Sequence, residues 1–237
     1  MATYSTLALP CPRTDLAPPD DFSALCERYA ALRLEALTTS PTAFGSSYAI
    51  ESAFTPEHWA AKVWREDAVV LVCVAHAIGE DPRKSGTWVA SAILRGPMPL
   101  EEYTLPPESN APQPGSDTEE THWQMTAVFA SAAHRGRGLG KLLIQAAKDY
   151  ALNHTRTTTC TRVRLRAIVH PDNIAVLGLY TRFGFADVAR TTGKEAYRTN
   201  GDVKEWEHKL ETLTDDLKVR WQTALHAVVL EWEGSII

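Results

Sequence analysis

The stretch Val128-Phe-Ala-Ser-Ala-Ala-His-Arg135-Gly-Arg-Gly138-Leu-Gly140-Lys141-Leu-Leu decides how the rest of the chain is read. Residues 123–130 look like a strand, glycines at 136, 138 and 140 mark a turn, and residues 138–153 follow a helical pattern. Glycines let a backbone come close to a ligand and adopt conformations barred to other residues. The first amides of a helix have no intrahelical partner, and with the helix dipole they make a seat for phosphate. Arg135, Arg137 and Lys141 add positive charge around that seat. The physical reading is a pyrophosphate site. A dinucleotide site needs G-x-G-x-x-G, and after Gly136 and Gly138 the third place falls on Lys141. A P-loop needs a hydroxyl residue after Gly-Lys, where this chain has Leu142.

A second stretch lies downstream: Leu165-Arg-Ala-Ile-Val-His170-Pro-Asp-Asn173-Ile-Ala-Val-Leu-Gly-Leu-Tyr180-Thr-Arg-Phe-Gly184-Phe185. It reads as a strand over 163–169, a helix over 173–183 closed by Gly184, and a strand over 185–190. Asn173 and Tyr180 are seven residues apart, nearly two turns, and share a helix face.

Working outward, Phe22, Leu25, Cys26, Tyr29, Leu32, Leu34 and Leu37 are spaced for a helix that Ser40-Pro41 ends. Thr55-Pro56 opens another, to about residue 66. The apolar runs 68–77 and 87–94 should pair as a hairpin across the turn-rich segment 79–86. Residues 1–21 read as an irregular lead-in, and residues 96–121, rich in proline and acid, as a long loop. Asp202-Val-Lys-Glu205 has the form of a capping box for one helix over 202–224, striped by Val203, Trp206, Leu210, Leu213, Leu217 and Trp221. A strand over 227–232 follows. The order is that of one mixed α/β domain over residues 22–237, with insertions at 96–121 and 202–224.

Arg135-Gly-Arg-Gly138-Leu-Gly140 fits [Q/R]-x-x-G-x-[G/A], and with the Asn173…Tyr180…Gly184-Phe185 stretch it resembles the GNAT superfamily of N-acetyltransferases. The likeness spans residues 22–190 in element order, with specific motifs at 128–141 and 165–185. It implies a central, mostly antiparallel, splayed sheet flanked by helices, with acetyl-CoA as co-substrate. It also implies that the strand backbone at Val128, Phe129 and Ala130 pairs with the pantetheine arm, as an added strand would. Arg135, Gly136, Arg137, Gly138, Leu139, Gly140 and Lys141 would hold the pyrophosphate. Asn173 would bond the pantetheine while capping its helix. Tyr180 would serve as general acid toward the departing sulfur. Many such enzymes carry a glutamate on the strand before the glycine turn, but Trp123-Gln-Met-Thr-Ala-Val128 has no acid. His122, His170 and Glu51 are the other groups considered, and no base is assigned.

Composition narrows the function. A formal charge of −5 and a pI near 5.9 argue against a nucleic-acid partner. No run of 18 apolar residues and no secretory pattern is present, so neither membrane insertion nor export is expected and a cytoplasmic location is. Cys11, Cys26, Cys73 and Cys160 lack metal-ligand spacing, and no metal is expected. Glu101, Glu102, Glu108, Asp117, Glu119 and Glu120 read as a solvated charge run, and Trp59, Trp64 and Trp123 as core. The expected activity is transfer of an acetyl group to a primary amine of a small molecule, by a monomer or homodimer. The alternatives are a protein lysine or N-terminal acetyltransferase, and a non-catalytic CoA-binding module.

Overall fold

A computed structural model describes residues 2–236. It contains seven strands in one open sheet of order β1-β2-β3-β4-β5-β7-β6. In chain order the elements are β1 (Thr3–Ala8), α1 (Phe22–Thr39), α2 (Tyr48–Glu51), α3 (Pro56–Val63), β2 (Ala68–His76), β3 (Thr87–Met98), α4 (Leu100–Tyr103) and β4 (Glu120–Ala130). There follow α5 (Leu139–Thr155), β5 (Arg162–Val169), α6 (Ile174–Arg182), β6 (Ala186–Thr191), α7 (Gly193–Asn200), α8 (Val203–Thr212), α9 (Asp215–Thr223) and β7 (Ala227–Ser235). β4 and β5 run parallel, whereas β1–β2, β5–β7 and β6–β7 are antiparallel. This is the mixed α/β class expected.

The chain divides into two compact units. The first runs to Leu94 and takes in Ala127–Ala147; the second comprises Arg95–Thr126 and everything from Lys148 on. In the first unit Val70, Val72 and Val74 of β2 meet Tyr29, Leu32 and Ala36 of α1, Trp59 and Val63 of α3, Trp88 and Phe129. The intervening Val69, Leu71 and Cys73 are buried too, which explains why β2 reads as a continuous apolar run without alternation. Thr55 caps α3 and Pro56 occupies its first turn, as expected. Tyr29 and Trp59 meet edge to face, with centroids 6.3 Å apart.

In the second unit Trp123 is fully buried, edge-on to Tyr150 and His154 of α5. Its Nε1 donates to Thr121 Oγ1 at 2.9 Å. A smaller apolar cluster of Leu105, Ala189 and Val229 lies near β6 and β7.

Four expectations need correction. The lead-in is not irregular throughout: residues 3–8 form β1, pairing Leu7 with Val72 and Thr3 with His76. The Thr-Tyr-Ser-Thr composition there suits an edge strand, but its polarity hides it from a search for apolar alternation. The segment 202–224 is two helices, α8 and α9, broken at Leu213 and Thr214, where Thr-Asp-Asp opens a new first turn. Asp202 makes no side-chain cap bond, so the capping box does not form. Instead Thr192 caps the unforeseen α7, accepting from the Glu195 amide at 3.1 Å. Nor are the acids at 96–121 all solvated. Glu120 is 2% exposed and ion-paired, Glu102 pairs with Arg95, and Asp117 accepts from the Leu100 amide.

Candidate active site

The strand-to-helix turn is built in the first unit. β4 ends at Ala130, Ser131 ties back to β3 through its amide and the Val89 carbonyl (2.8 Å), and a short 3₁₀ turn spans Ala132–His134. Tyr4 of β1 holds His134, hydroxyl to Nδ1 at 3.1 Å. Arg135 bends back, its Nε donating to the Ala130 carbonyl at 3.2 Å and its Nη2 to Ser40 Oγ at 3.4 Å. Beyond it Gly136 and Gly138 are left-handed, with φ of +74° and +80°. A Cβ at either would meet nothing within 4 Å. Conformation, not crowding, therefore demands glycine there, and open space lies against the backbone.

Leu139 anchors the start of α5. It is 3% exposed, and its carbonyl takes the Cys73 thiol at 3.9 Å. The first amide to find a helical carbonyl is that of Leu142, on Gly138 at 3.1 Å. The amides of Leu139, Gly140 and Lys141 precede it and are the orphan donors of the helix end. The side chains of Arg137 and Lys141 are exposed. Gly136, Arg137, Gly138, Gly140 and Lys141 thus form one cradle with donors and positive charge, and the strand Val128, Phe129 and Ala130 leads into it. The chemistry of this donor set fits a pyrophosphate.

In the second unit α6 opens at Asn173, whose carbonyl accepts from Val176 and Leu177. Its side chain makes no cap bond, which corrects the capping half of its expected role and leaves the amide free. The helix closes in a Schellman arrangement. The Gly184 amide bonds the Thr181 carbonyl and the Phe185 amide bonds that of Tyr180, with Gly184 left-handed at φ +84°. Phe185 then packs edge-on to Tyr180 at 4.9 Å, so the helix end fixes the tyrosine ring. Lys148 of α5 adds a cap, its Nζ donating to the Phe183 carbonyl at 2.7 Å and lying 4.3 Å over Trp232. Tyr180 is 2% exposed, and its hydroxyl bonds nothing among the described residues. Burial pushes its pKa well above the ordinary phenol value.

Two of the groups weighed as base are structural. Glu51 is fully buried, held by Arg33 in three hydrogen bonds of 2.8–3.2 Å and by Lys62 at 3.4 Å. His122 is also fully buried. Its Nε2 lies 3.1 Å from the Gly115 carbonyl and 3.3 Å from Glu120, and its ring stacks on Tyr103. His170 remains half exposed beside His226, ring centroids 6.0 Å apart.

Sequence reasoning missed the polar face that β4, β5 and β7 present in this unit. Glu120, His122 and Gln124 alternate on β4, Arg164 and Arg166 on β5, and Glu231 projects from β7; all are buried. Arg164 bonds Glu120 at 2.8 Å, Glu231 at 3.1 Å and Glu233 at 2.7 Å. Tyr103 donates to Glu231 at 2.9 Å. The alternation of charge on β5 was the available signal, since a strand with charge at every second place and apolar residues between has two different faces.

Residues 46–185 match the acetyltransferase (GNAT) family. Among solved structures, Arabidopsis thaliana NAA60 in complex with acetyl-CoA is 16% identical, covering 99% of this chain and 99% of that one, with a TM-score of 0.52. A putative acetyltransferase from Acinetobacter baylyi ADP1 is 9% identical over 100% and 94% of the two chains, with a TM-score of 0.54. A further putative acetyltransferase, yncA from Salmonella typhimurium with its cofactor acetyl-CoA, is 14% identical over 98% and 93%, at 0.50. Identities this low speak to the fold. No curated protein matches in sequence. Among the described residues no group of three or more His, Cys, Asp or Glu side chains could hold a metal ion, and no helix is long and apolar enough to cross a membrane.

Proposed function

Because the chain belongs to the acetyltransferase (GNAT) family and is an acetyl-CoA-dependent acetyltransferase, we propose that it carries the acetyl group to a primary amine of a small molecule, by direct attack in a ternary complex. The observation that carries this reading is the open, left-handed Gly136–Gly138 turn ahead of the unpaired amides of α5. In this reading those amides, with Arg135, Arg137 and Lys141, take the pyrophosphate. The Val128, Phe129 and Ala130 backbone takes the pantetheine, and the free Asn173 amide bonds it. A small acceptor is favoured because α4 and α7 close over the polar face of the second unit. Tyr103 is bonded to Arg166 and Glu231, and Thr199 to Gln124, so side chains of this chain already occupy that face. The four cysteines are buried and none is in a disulfide, in keeping with a reducing cytoplasm.

The chemistry is balanced simply. The amine nitrogen attacks the thioester carbon, the carbon–sulfur bond breaks, and one proton leaves nitrogen as one reaches sulfur. A thiol titrates near 8.5, whereas burial holds the Tyr180 phenol well above its usual value. Full transfer from Tyr180 is therefore uphill, and its hydroxyl acts as a hydrogen-bond donor that steadies the departing thiolate. The remaining acceleration comes from holding nitrogen and carbonyl carbon about 3–3.5 Å apart.

Calorimetric titration with acetyl-CoA and desulfo-CoA tests the donor site. Comparable affinities are expected, and binding of neither would overturn the reading. Gly138→Asp puts a strained side chain and a negative charge into the cradle and should abolish binding of both. Tight binding by that variant would refute the placement. Tyr180→Phe should lower turnover by roughly a hundredfold with cofactor affinity kept. Unchanged turnover at saturating substrate would remove Tyr180 from the mechanism.

A further inference from the structure

The polar face of the second unit holds one guanidinium that has no carboxylate at ion-pair distance among the described residues. Arg166 is 1% exposed. Its Nε donates to Gln124 Oε1 at 2.9 Å, its Nη1 donates to the Tyr103 carbonyl at 2.7 Å, and the group lies 3.9 Å over the Tyr103 ring. Nη2, sealed from solvent, has no partner among the described residues. A guanidinium offers five N–H bonds, and only two are used here.

The acids nearby are committed elsewhere. Glu120 and Glu231 are taken by Arg164, Glu102 by Arg95 and Glu195 by Arg198. Each neighbouring arginine thus has a carboxylate in ion-pair contact, whereas Arg166 has only the more distant field of Glu231, whose oxygens bond Arg164 and Tyr103. An unpaired buried charge costs several kcal/mol, so a merely structural position would favour an apolar residue of similar volume.

The surroundings hold this group in one orientation. Gln124 accepts from Arg166 through Oε1, while its Nε2 donates to Thr199 Oγ1 at 3.1 Å and to Asn200 Oδ1 at the end of α7. The amide oxygen of that glutamine thus accepts from the guanidinium while its nitrogen is held at both hydrogens, which fixes the direction of Arg166. Gln124 and Arg166 also face each other as the final pair of the parallel β4–β5 ladder. Gln124 stands on the strand that leads to Val128, Phe129 and Ala130, four residues before the first of them.

We infer that Arg166 seats the carboxylate of the acceptor, and that the acceptor is an α-amino acid or a close analogue bearing amine and carboxylate on one small skeleton. A carboxylate supplies the missing counter-ion and takes the remaining N–H bonds in the fork geometry that guanidinium and carboxylate share. Gln124 is then a positioning residue. The inference rests on the amine-acetylation reading and names its substrate class.

The test uses matched pairs, each an α-amino acid and the amine left when its carboxylate is removed, with acetyl-CoA as donor. Wild type should favour the amino acid by about 10- to 100-fold in kcat/KM, the worth of a charged hydrogen bond. Arg166→Met should collapse that ratio mainly through the KM of the amino acid, with acetyl-CoA affinity as the check on folding. Arg166→Lys, which keeps the charge and loses the fork, should fall between, and it serves if Arg166→Met does not fold. Calorimetry of the wild-type protein with amino acids and their carboxamides, without donor, reads the same site when no acetylation occurs. The acids should bind and the carboxamides should not, so failure of the transfer reading stays distinguishable. Equal use of both members of every pair, as expected if a water satisfies Nη2, overturns the proposal. So does a preference that survives in Arg166→Met.

Discussion

The two units bury their interiors by different means. The first stacks Val70, Val72 and Val74 of β2 under the aromatic and aliphatic faces of α1 and α3. Its main buried ion pair, Arg33 with Glu51, joins α1 to the end of α2. The second lines a face of its sheet with Glu120, His122, Gln124, Arg164, Arg166 and Glu231. An apolar floor needs only volume, and its energy rises with area removed from water. A polar floor holds together only if each group finds its partner, and the one that does not marks where something else belongs. On the proposal made for Arg166, the first unit, which carries the glycine turn, serves the donor, and the second selects the acceptor.

Mutation can break this comparison most forcefully at Trp59 and Arg164. Trp59→Ala should cost about 3–5 kcal/mol in urea unfolding, the usual loss for a buried tryptophan. Arg164→Met should cost about 3–5 kcal/mol as well, for the opposite reason, because it takes the ion-pair partner from Glu231 and leaves Glu120 only the longer contact to the half-exposed Arg162. The two then diverge. Adding Glu120→Gln and Glu231→Gln to Arg164→Met should recover a large part of the loss, since the stranded charges go with their partner. No polar substitution near Trp59 can do likewise. Triple-variant losses that add up as independent sites would erase the distinction between the floors.

Acid bears on both units alike. Burial alone would raise the pKa of Glu120, but the bonds and charge of Arg164, the Gly115 amide and His122 outweigh it and hold it below the ordinary value. Glu51 behaves alike in the first unit: burial raises it, and Arg33, then Lys62, bring it down further than burial lifts it. A carboxyl depressed in the folded state contributes stability above its unfolded pKa, near 4.3 for glutamate. That contribution is lost as pH falls through the folded value. Stability should therefore decline below about pH 4.3, and Glu120→Gln and Glu51→Gln should each make the decline shallower. Urea midpoints taken across this range check it, and slopes identical to wild type in both variants would contradict the assignment.

How much of this was legible follows from range. The glycine turn, the Asn173–Tyr180 helix and the Thr55-Pro56 cap are local chemistry, and the structure forms each where the residues placed it. Tyr4 on His134, Arg135 on Ser40 and Tyr103 on Glu231 join residues about a hundred positions apart. No spacing rule announces such contacts. β1 was missed because an edge strand needs little apolar alternation, and the break at Leu213 because an apolar stripe ran through it. Arg166 was invisible for a third reason, since only a folded neighbourhood tells a paired arginine from an unpaired one.

The smallest effect concerns the strand itself. Ala127, inside β4, is left-handed with φ of +53°, a conformation that costs an L-residue roughly 1–2 kcal/mol. It sits immediately before Val128, Phe129 and Ala130, so the kink sets the direction in which that backbone presents its bonding groups. If the surrounding strand imposes this conformation, glycine should accept it with less strain, and Ala127→Gly should stabilise the protein by about 1 kcal/mol. A β-branched residue fits the region least, so Ala127→Val should destabilise by more than glycine gains. Unfolding midpoints decide the matter: a glycine variant no more stable than wild type would mean the strain is no larger than the chain entropy a glycine costs. A stabilised glycine variant with weakened acetyl-CoA binding would show that the alanine is kept for the rigidity of the kink, at a cost in stability.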